Sequence, residues 1–267
     1  KDKKYWNSKF DNFNGKTKLK YYDENNLRIK ARRKAMITPK KLAHKISQFC
    51  EENKVSVFNL FAAALAMYIN RITGSEDIVF GTTTLNRTNA REKKILGMLS
   101  NIAPYRIKIN GEMSFEDFLS VVTRDSMSLL RHQKYPYNML IKEMRDRYKL
   151  RNNLFDIVIY YSNSKFTMQN EEEYTSRSHF NGCQLEAMNI GINDRESEGT
   201  LLIEYNYLTD VFHAKEIDFM HQNIISLLWH GLDNPSKKIC KLEMLSEKEK
   251  YRILNNFNNP DFYLDSK

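Results

Sequence analysis

The sequence predicts an α/β domain in which a mixed β-sheet is flanked by helices. Strand-length stretches rich in β-branched residues alternate along the chain with amphipathic stretches of helix length. One stretch, Val55–Gly74, is apolar almost all the way round, which places a helix at the centre of the layers rather than at their edge. No internal repeat is visible, which argues against stacked repeats.

The elements follow in order. Arg28–Lys34, "RIKARRK", interleaves charge with Ile29 and Ala31, as a surface strand would. A helix is expected from "TPKKLAHKISQFCEEN", with Thr38 as N-cap, Pro39 in the first helical position, and Leu42, Ile46, Phe49 and Cys50 on one face. Ser56 then caps the central helix and Gly74 closes it. Asp77–Leu85 is β-branched and reads as a buried strand. Ile95–Ile107, "ILGMLSNIAPYRI", reads as the start of another strand, anchored by its apolar residues and held to a sheet edge by Pro104.

Ser114 with Asp117 opens a long amphipathic helix through Gln133, and a second helix begins at Pro136 with Leu140, Ile141 and Met144 inward. Asn153–Asn163 is a strand, Ser164–Gly182 a polar excursion, and Thr200–Tyr207 a further strand. Lys215–Leu232 is a helix with Ile217, Met220, Ile224, Leu227 and Leu228 on its inner face. A capping box, Ser246 and Glu249, opens the last helix. The domain is expected over residues 1–250, and 251–267, rich in Asn, as the start of a linker.

The totals bound the function. The 267 residues are 41% hydrophobic and 28% charged, ordinary for a globular protein. Residues 1–50 hold 15 Lys/Arg against 4 Asp/Glu, or +11, so that the other 217 sum to −2 of the net +9. A basic end of this kind could meet nucleic acid, an anionic membrane or an acidic protein. No aromatic-interleaved basic motif accompanies it, and the 27 Asn and many Lys fit an AT-rich coding sequence, so no nucleic-acid partner is expected. The longest apolar run, Leu60–Ile69, is too short to span a bilayer, and no membrane partner is expected. Three widely spaced cysteines (Cys50, Cys183, Cys240) argue against a disulfide framework and a zinc site, and fit a reducing cytoplasm. The chain begins "KDKKYW", without Met, and is expected to be part of something longer.

Familiar catalytic patterns are missing: no G-x-S-x-G, no Gly-rich phosphate loop, no H-E-x-x-H, no dinucleotide fingerprint. The six histidines show no metal-ligand spacing. Residue chemistry alone leaves an α/β domain without a visible active site.

Six stretches, taken in order, carry a resemblance. Tyr5-Trp6 is similar to a YW…L segment, and "VSVFNLFAAALAMYINRITGSEDIVFGTTTLNR" to a G-x-x-D-i-v-x-G-t…R stretch through Gly74, Asp77, Gly81 and Arg87. "LGMLSNIAPYR" resembles I-G-x-F-V-N-T-x-x-x-R through Gly97, Asn101 and Arg106, and "HQKYPYNML" resembles H-Q-D-x-P-F-E-x-L through His132, Gln133, Pro136 and Leu140. "RNNLFDIVIYYSN" and "IEYNYLTDVF" complete the series. Together they resemble the condensation domain of nonribosomal peptide synthetases. Lys134, Asn138, Ile102 and Asn153 depart from the family's Asp, Glu, Thr and Pro, and HHxxxDG, which carries the family's catalytic histidine, is absent.

The resemblance implies the C-terminal lobe of that domain, half of a chloramphenicol-acetyltransferase-like two-lobe pseudodimer. It implies amide formation between carrier-bound thioesters, with phosphopantetheine delivered by carrier domains and no cofactor bound by this chain. The implied partners are the N-terminal lobe, peptidyl carrier domains and an adenylation domain following the linker. Asn101, with Ser100, is expected to face the substrate tunnel, since an uncharged amide can donate or accept near a thioester; the alternative for Asn101 is a turn residue bonding its own backbone. Arg106 is expected in an ion pair at the lobe's edge, and His132 at a helix end, tethering the turn with Gln133 and Pro136. Arg87 and the loop after Gly81 are candidates for a floor segment, and Ser164 to about Gly191 for a latch, both reaching toward the other lobe. Alone, the chain is expected to be inactive and prone to self-association. The alternatives are a related acyltransferase acting on a soluble acceptor, and a non-catalytic module binding through the basic end.

Overall fold

The computed structural model describes residues 1–13, 15, 17–23, 26–149, 153–163, 179–194 and 199–256. Its centre is a six-stranded mixed sheet made of β1 (Ala31–Ile37), β2 (Asp77–Thr84), β3 (Asn101–Lys108), β4 (Ile157–Ser162), β5 (Met188–Asn193) and β6 (Leu202–Leu208). The strand order is β1-β6-β5-β4-β2-β3, with β2–β4 and β4–β5 parallel and the other pairs antiparallel.

Against one face pack α2 (Lys40–Asn53), α3 (Val57–Thr73), α5 (Phe115–Arg131) and α7 (Ala214–Asp233). Residues Asn59–Ala66, Met67 and Ile69 of α3 are all buried between α2, α5, α7 and the sheet, which explains why its sequence has no polar stripe. Ser56 Oγ accepts the amide of Asn59 at 3.1 Å, and Gly74 closes the helix in the left-handed region. Among the described residues no single helix is long and apolar enough to cross a membrane.

On the opposite face, α1 (Asp2–Lys9) and α6 (Tyr137–Tyr148) cover the β2–β3 end. There Gly81 admits the Phe155 ring: a Cβ at residue 81 would lie 2.5 Å from it. Strand β3 is an edge strand, where Pro104, facing Gly81, removes no hydrogen bond the sheet needs.

Three expectations are corrected. Thr38 does not cap α2. It is buried, and its amide and Oγ1 bond the carbonyl and amide of Leu201, each at 2.9 Å, so that Thr38 extends the β1–β6 ladder and Pro39 precedes the helix. The latch expected from Ser164 to about Gly191 ends in a core strand. Met188, Ile190 and Ile192 of β5 are buried between β4 and β6, while 164–178 lie outside the described residues. Finally, the apolar residues before β3 do not anchor it: Ile95 is 46%, Met98 91% and Leu96 fully exposed.

The short α4 (Ala90–Lys93) and α8 (Glu247–Tyr251) complete the elements used below. Ser246 Oγ accepts the amide of Glu249 at 3.2 Å at the start of α8, as its spacing predicts.

Candidate functional site

The chain leaves β2 for β3 on one side, whereas the parallel neighbour β4 lies on the other. Side chains splay apart outside the carboxyl ends of strands at such a reversal, leaving a crevice where open α/β sheets bind ligands. A cavity of about 230 Å³ occupies that place. Thr82, Thr83 and Thr84 of β2 and Tyr161 of β4 line it from the sheet, with Tyr105 behind them. Ser56 and Phe58 at the start of α3, and Ser126, Leu129 and Leu130 of α5, line it from the helices.

Among the described residues no charged side chain lines the cavity. Tyr105 Oη donates to the carbonyl of Val122, and Tyr161 Oη donates to Asp194 at 2.7 Å. Burial first, then the Asp194 carboxylate, pushes the Tyr161 phenol far above its ordinary value, so it stays protonated at any working pH.

Asn101 opens β3 directly across from Thr84, whose Oγ1 is 3.4 Å from the Asn101 carbonyl. Opposed residues share a face, so Asn101 stands on the cavity side of the sheet, one position beyond the lining residues. Its half-buried side chain makes no hydrogen bond among the described residues, so the self-bonded turn is not what the structure shows. Ser100 precedes it, exposed.

Between β2 and β3 the chain builds a pinned loop. The Arg87 guanidinium donates to the carbonyls of Glu92, Ile95 (2.7 Å) and Gly97 (2.6 Å). Gly97 has φ +138°, a conformation that side chains resist. Asn89 caps α4, and Glu92 pairs with Lys134 at 2.6 Å. Lys134 first, then the Thr88 amide, holds the Glu92 carboxyl down at about 2. All this bonding displays Leu85, Ile95, Leu96 and Met98 to solvent.

His132, Gln133 and Pro136 form the hinge beneath that loop. Gln133 Oε1 accepts the amide of Asn86 at 2.9 Å, and its Nε2 donates to the carbonyl of Leu130 at 2.8 Å. His132 stacks on Tyr5 with ring centroids 4.0 Å apart, places Nδ1 2.8 Å from Asp2, and accepts Trp6 Nε1 on its carbonyl. The Pro136 carbonyl accepts the amide of Leu140 in the first turn of α6. These residues bind frame to frame.

Arg106 is the strongest such anchor. Only 3% exposed, it pairs both carboxylate oxygens of Asp77 and donates to the carbonyls of Lys9, Asp11 and Asn12. The expected ion pair exists on the edge strand, buried beneath α1.

A wider crevice of about 1080 Å³ runs between α1 and α6, but it is open, and four of its charges pair with each other as Lys3–Glu143 and Arg147–Asp11. No three His, Cys, Asp or Glu among the described residues are placed to share a metal ion.

A family model of the condensation domain matches residues 1–254. The chain belongs to the condensation-domain family. Surfactin synthase subunit 1 of Bacillus subtilis (strain 168) is 35% identical over 254 residues, 95% of this chain and 7% of that protein. A plipastatin synthase of the same organism is 29% identical over 267 residues, 98% of this chain and 10% of that protein. The chain thus spans a tenth or less of these relatives. Among solved structures, a holo four-domain nonribosomal peptide synthetase bound to AMP and glycine matches with TM-score 0.79 and 15% identity, over 94% of this chain and 20% of that one. The starter condensation domain of rhizomide synthetase, in complex with C8-CoA and Leu-SNAC, matches with TM-score 0.75 and 19% identity, over 92% of this chain and 55% of that one. The fold is therefore that of condensation-domain structures, one mixed sheet flanked by helices in the chloramphenicol-acetyltransferase-like manner.

Within this condensation-domain fold the motif residues separate by position. Gly81, Arg106, His132, Gln133 and Pro136 are tied into the frame, Arg87 and Gly97 shape the loop, and Asn101 pairs across from the cavity residue Thr84 with Ser100 exposed before it. Sequence reasoning missed Thr82, Ser126 and Tyr161 in the cavity wall. Only the Thr-Thr-Thr end of β2 carried a hint, since ligands of open α/β sheets bind outside the carboxyl ends of strands.

Proposed function

We propose that the chain forms the C-terminal lobe of a nonribosomal peptide synthetase condensation domain and supplies one wall of its substrate tunnel. The observation that carries this is the neutral cavity at the carboxyl ends of β2 and β4, with Asn101 paired across from its wall residue Thr84 and a pinned loop with exposed Leu96 and Met98 joining β2 to β3. The N-terminal lobe would cover that face. Carrier domains would bring both substrates on phosphopantetheine, and residues 251–267 would lead toward an adenylation domain in the same cytoplasmic polypeptide.

In the reaction the acceptor's amine nitrogen attacks the donor's thioester carbon. The C–N bond forms, the carbonyl electrons move to oxygen, and collapse breaks the C–S bond. One proton leaves the nitrogen and one reaches the thiolate. The histidine of HHxxxDG, absent from this sequence, would handle the proton from the other lobe. This chain's part is positioning and electrostatics. The cavity wall fixes the reacting group, and the free Asn101 amide can donate to the developing oxyanion without demanding a counter-ion.

The basic-end reading loses support because three cations of its densest cluster are engaged: Arg28 with Asp210 at 2.8 Å, Arg33 with Glu204 at 2.8 Å, and Lys34 with Asp218. The test is peptide formation by the complete synthetase from loaded carriers, followed by mass spectrometry. Asn101→Ala is expected to lower kcat about 100-fold, the order of one lost oxyanion donor, with an unchanged melting temperature. A native kcat in that variant removes Asn101 from the chemistry.

A further inference from the structure

The cavity's composition bears on what enters it. Its lining mixes neutral hydroxyls (Thr82, Ser126, Tyr161) with apolar groups (Phe58, Leu129, Leu130) and, among the described residues, contains no Asp, Glu, Lys, Arg or His. Four lining hydroxyls are already committed within the protein. Ser56 Oγ accepts the Asn59 amide that starts α3, Thr84 Oγ1 donates to the Asn101 carbonyl, Tyr105 Oη donates to the Val122 carbonyl, and Tyr161 is held by Asp194. Thr82 is 5% exposed, and its hydroxyl makes no hydrogen bond among the described residues, leaving a neutral polar group in the wall. A charged side chain placed here would lose its hydration and meet no opposite charge. An aliphatic or aromatic one would meet Phe58, Leu129 and Leu130.

Size narrows the class further. At ~30 Å³ per water-sized group, the cavity of about 230 Å³ holds roughly seven or eight non-hydrogen atoms. A phenylalanine side chain fills that space, and the smaller leucine side chain enters it with room to spare.

We propose that this cavity is a specificity pocket that receives the uncharged aliphatic or aromatic side chain of a carrier-bound aminoacyl group, with Thr82, Ser126 and Tyr161 setting its size. The proposal rests on the tunnel reading above and names what that wall selects. The pocket can serve the acceptor or the donor group, and one experiment separates the two.

The complete synthetase is assayed with carriers bearing glycyl, leucyl, phenylalanyl, aspartyl or lysyl groups, varied first in the acceptor and then in the donor position. In the position the pocket serves, leucyl and phenylalanyl groups are expected to have kcat/KM at least about tenfold above aspartyl and lysyl. Ser126→Leu, which fills the cavity, is expected to lower the phenylalanyl-to-glycyl ratio of kcat/KM by about tenfold or more in that position and not in the other. Thr82→Ala, which enlarges it, is expected to raise the same ratio. Equal handling of charged and apolar groups in both positions overturns the proposal, as does a ratio that neither variant moves. Absence of any product from the native enzyme overturns the tunnel reading itself, and the pocket with it.

Discussion

Arg106 shows how one side chain can hold three distant stretches in register. A guanidinium has five N–H donors, and here each has an acceptor: two on the Asp77 carboxylate and three on the backbone carbonyls of residues 9, 11 and 12. Phe10 and Phe13 lie 5.7 and 5.4 Å from it, shielding the pair from water. Removing the cation strands Asp77 and unties α1 from the edge strand. Arg106→Ala is therefore expected to cost about 3–5 kcal/mol, lowering Tm by roughly 10 °C in a thermal melt. Arg106→Lys should recover only part of that, because three donors on a point charge cannot reproduce a two-pronged contact. A melt within a degree of native for Arg106→Ala would mean that the packing of Trp6 and Phe10 alone secures the first helix.

At the scale of elements, the loop between β2 and β3 is ordered by polar bonds rather than by burial, and its chemistry should be separable from the core. Arg87→Ala frees the carbonyls of Glu92, Ile95 and Gly97 while touching nothing buried. The expected result is amide exchange faster by an order of magnitude or more over residues 88–98, with little change in Tm. The Glu92 carboxyl, ordinarily 4.5, is held at about 2 by Lys134 and the Thr88 amide. A depressed carboxylate contributes in full above its ordinary value and loses that contribution as pH falls toward the folded one. The clip should thus persist at pH 5 and open progressively between about pH 4.5 and 2, read by exchange at Thr88. Opening that begins near pH 6 would exclude Glu92 as its cause.

The same scale explains what was legible in the sequence. Helices α3, α5 and α7 announce themselves because burial on a helix leaves a 3.6-residue pattern, and β2 because a central strand is β-branched. Strand β5 does not, since its buried Met188, Ile190 and Ile192 alternate with Asn189, Gly191 and Asn193, which read as turn residues. Thr38 looks like a cap from its neighbours alone, and only pairing with distant Leu201 makes it a ladder residue. That Asn101 opens a strand was legible from its stretch. The cavity was not, because its wall draws residues from two helices and three strands that meet only in the fold.

At the scale of the whole molecule, charge and apolar surface are distributed differently. Part of the basic end is paired internally, through residues such as Lys9, Lys20, Arg28 and Arg33, whereas exposed apolar side chains gather on the loop between β2 and β3. The Asn86–Gln133 bond sets the loop beside the carboxyl end of α5, where Met127 and Leu130 are 53% and 47% exposed. Leu130 lines the cavity, and Leu85, Leu96 and Met98 stand exposed on the loop that follows β2, apolar groups of the kind found on a surface built to be covered. On the function proposed above, the second lobe of a complete condensation domain would cover it. The 267-residue chain by itself offers only another copy of the same surface. It is therefore expected to self-associate in a concentration-dependent way in sedimentation velocity, and to form no peptide bond from loaded carriers. Leu96→Lys together with Met98→Lys should return it to a monomer without lowering Tm, because neither side chain is buried. A chain that stays monomeric at every concentration reached would show that the pinned loop alone keeps this apolar surface from pairing, and that its exposure serves the substrate crevice rather than a partner.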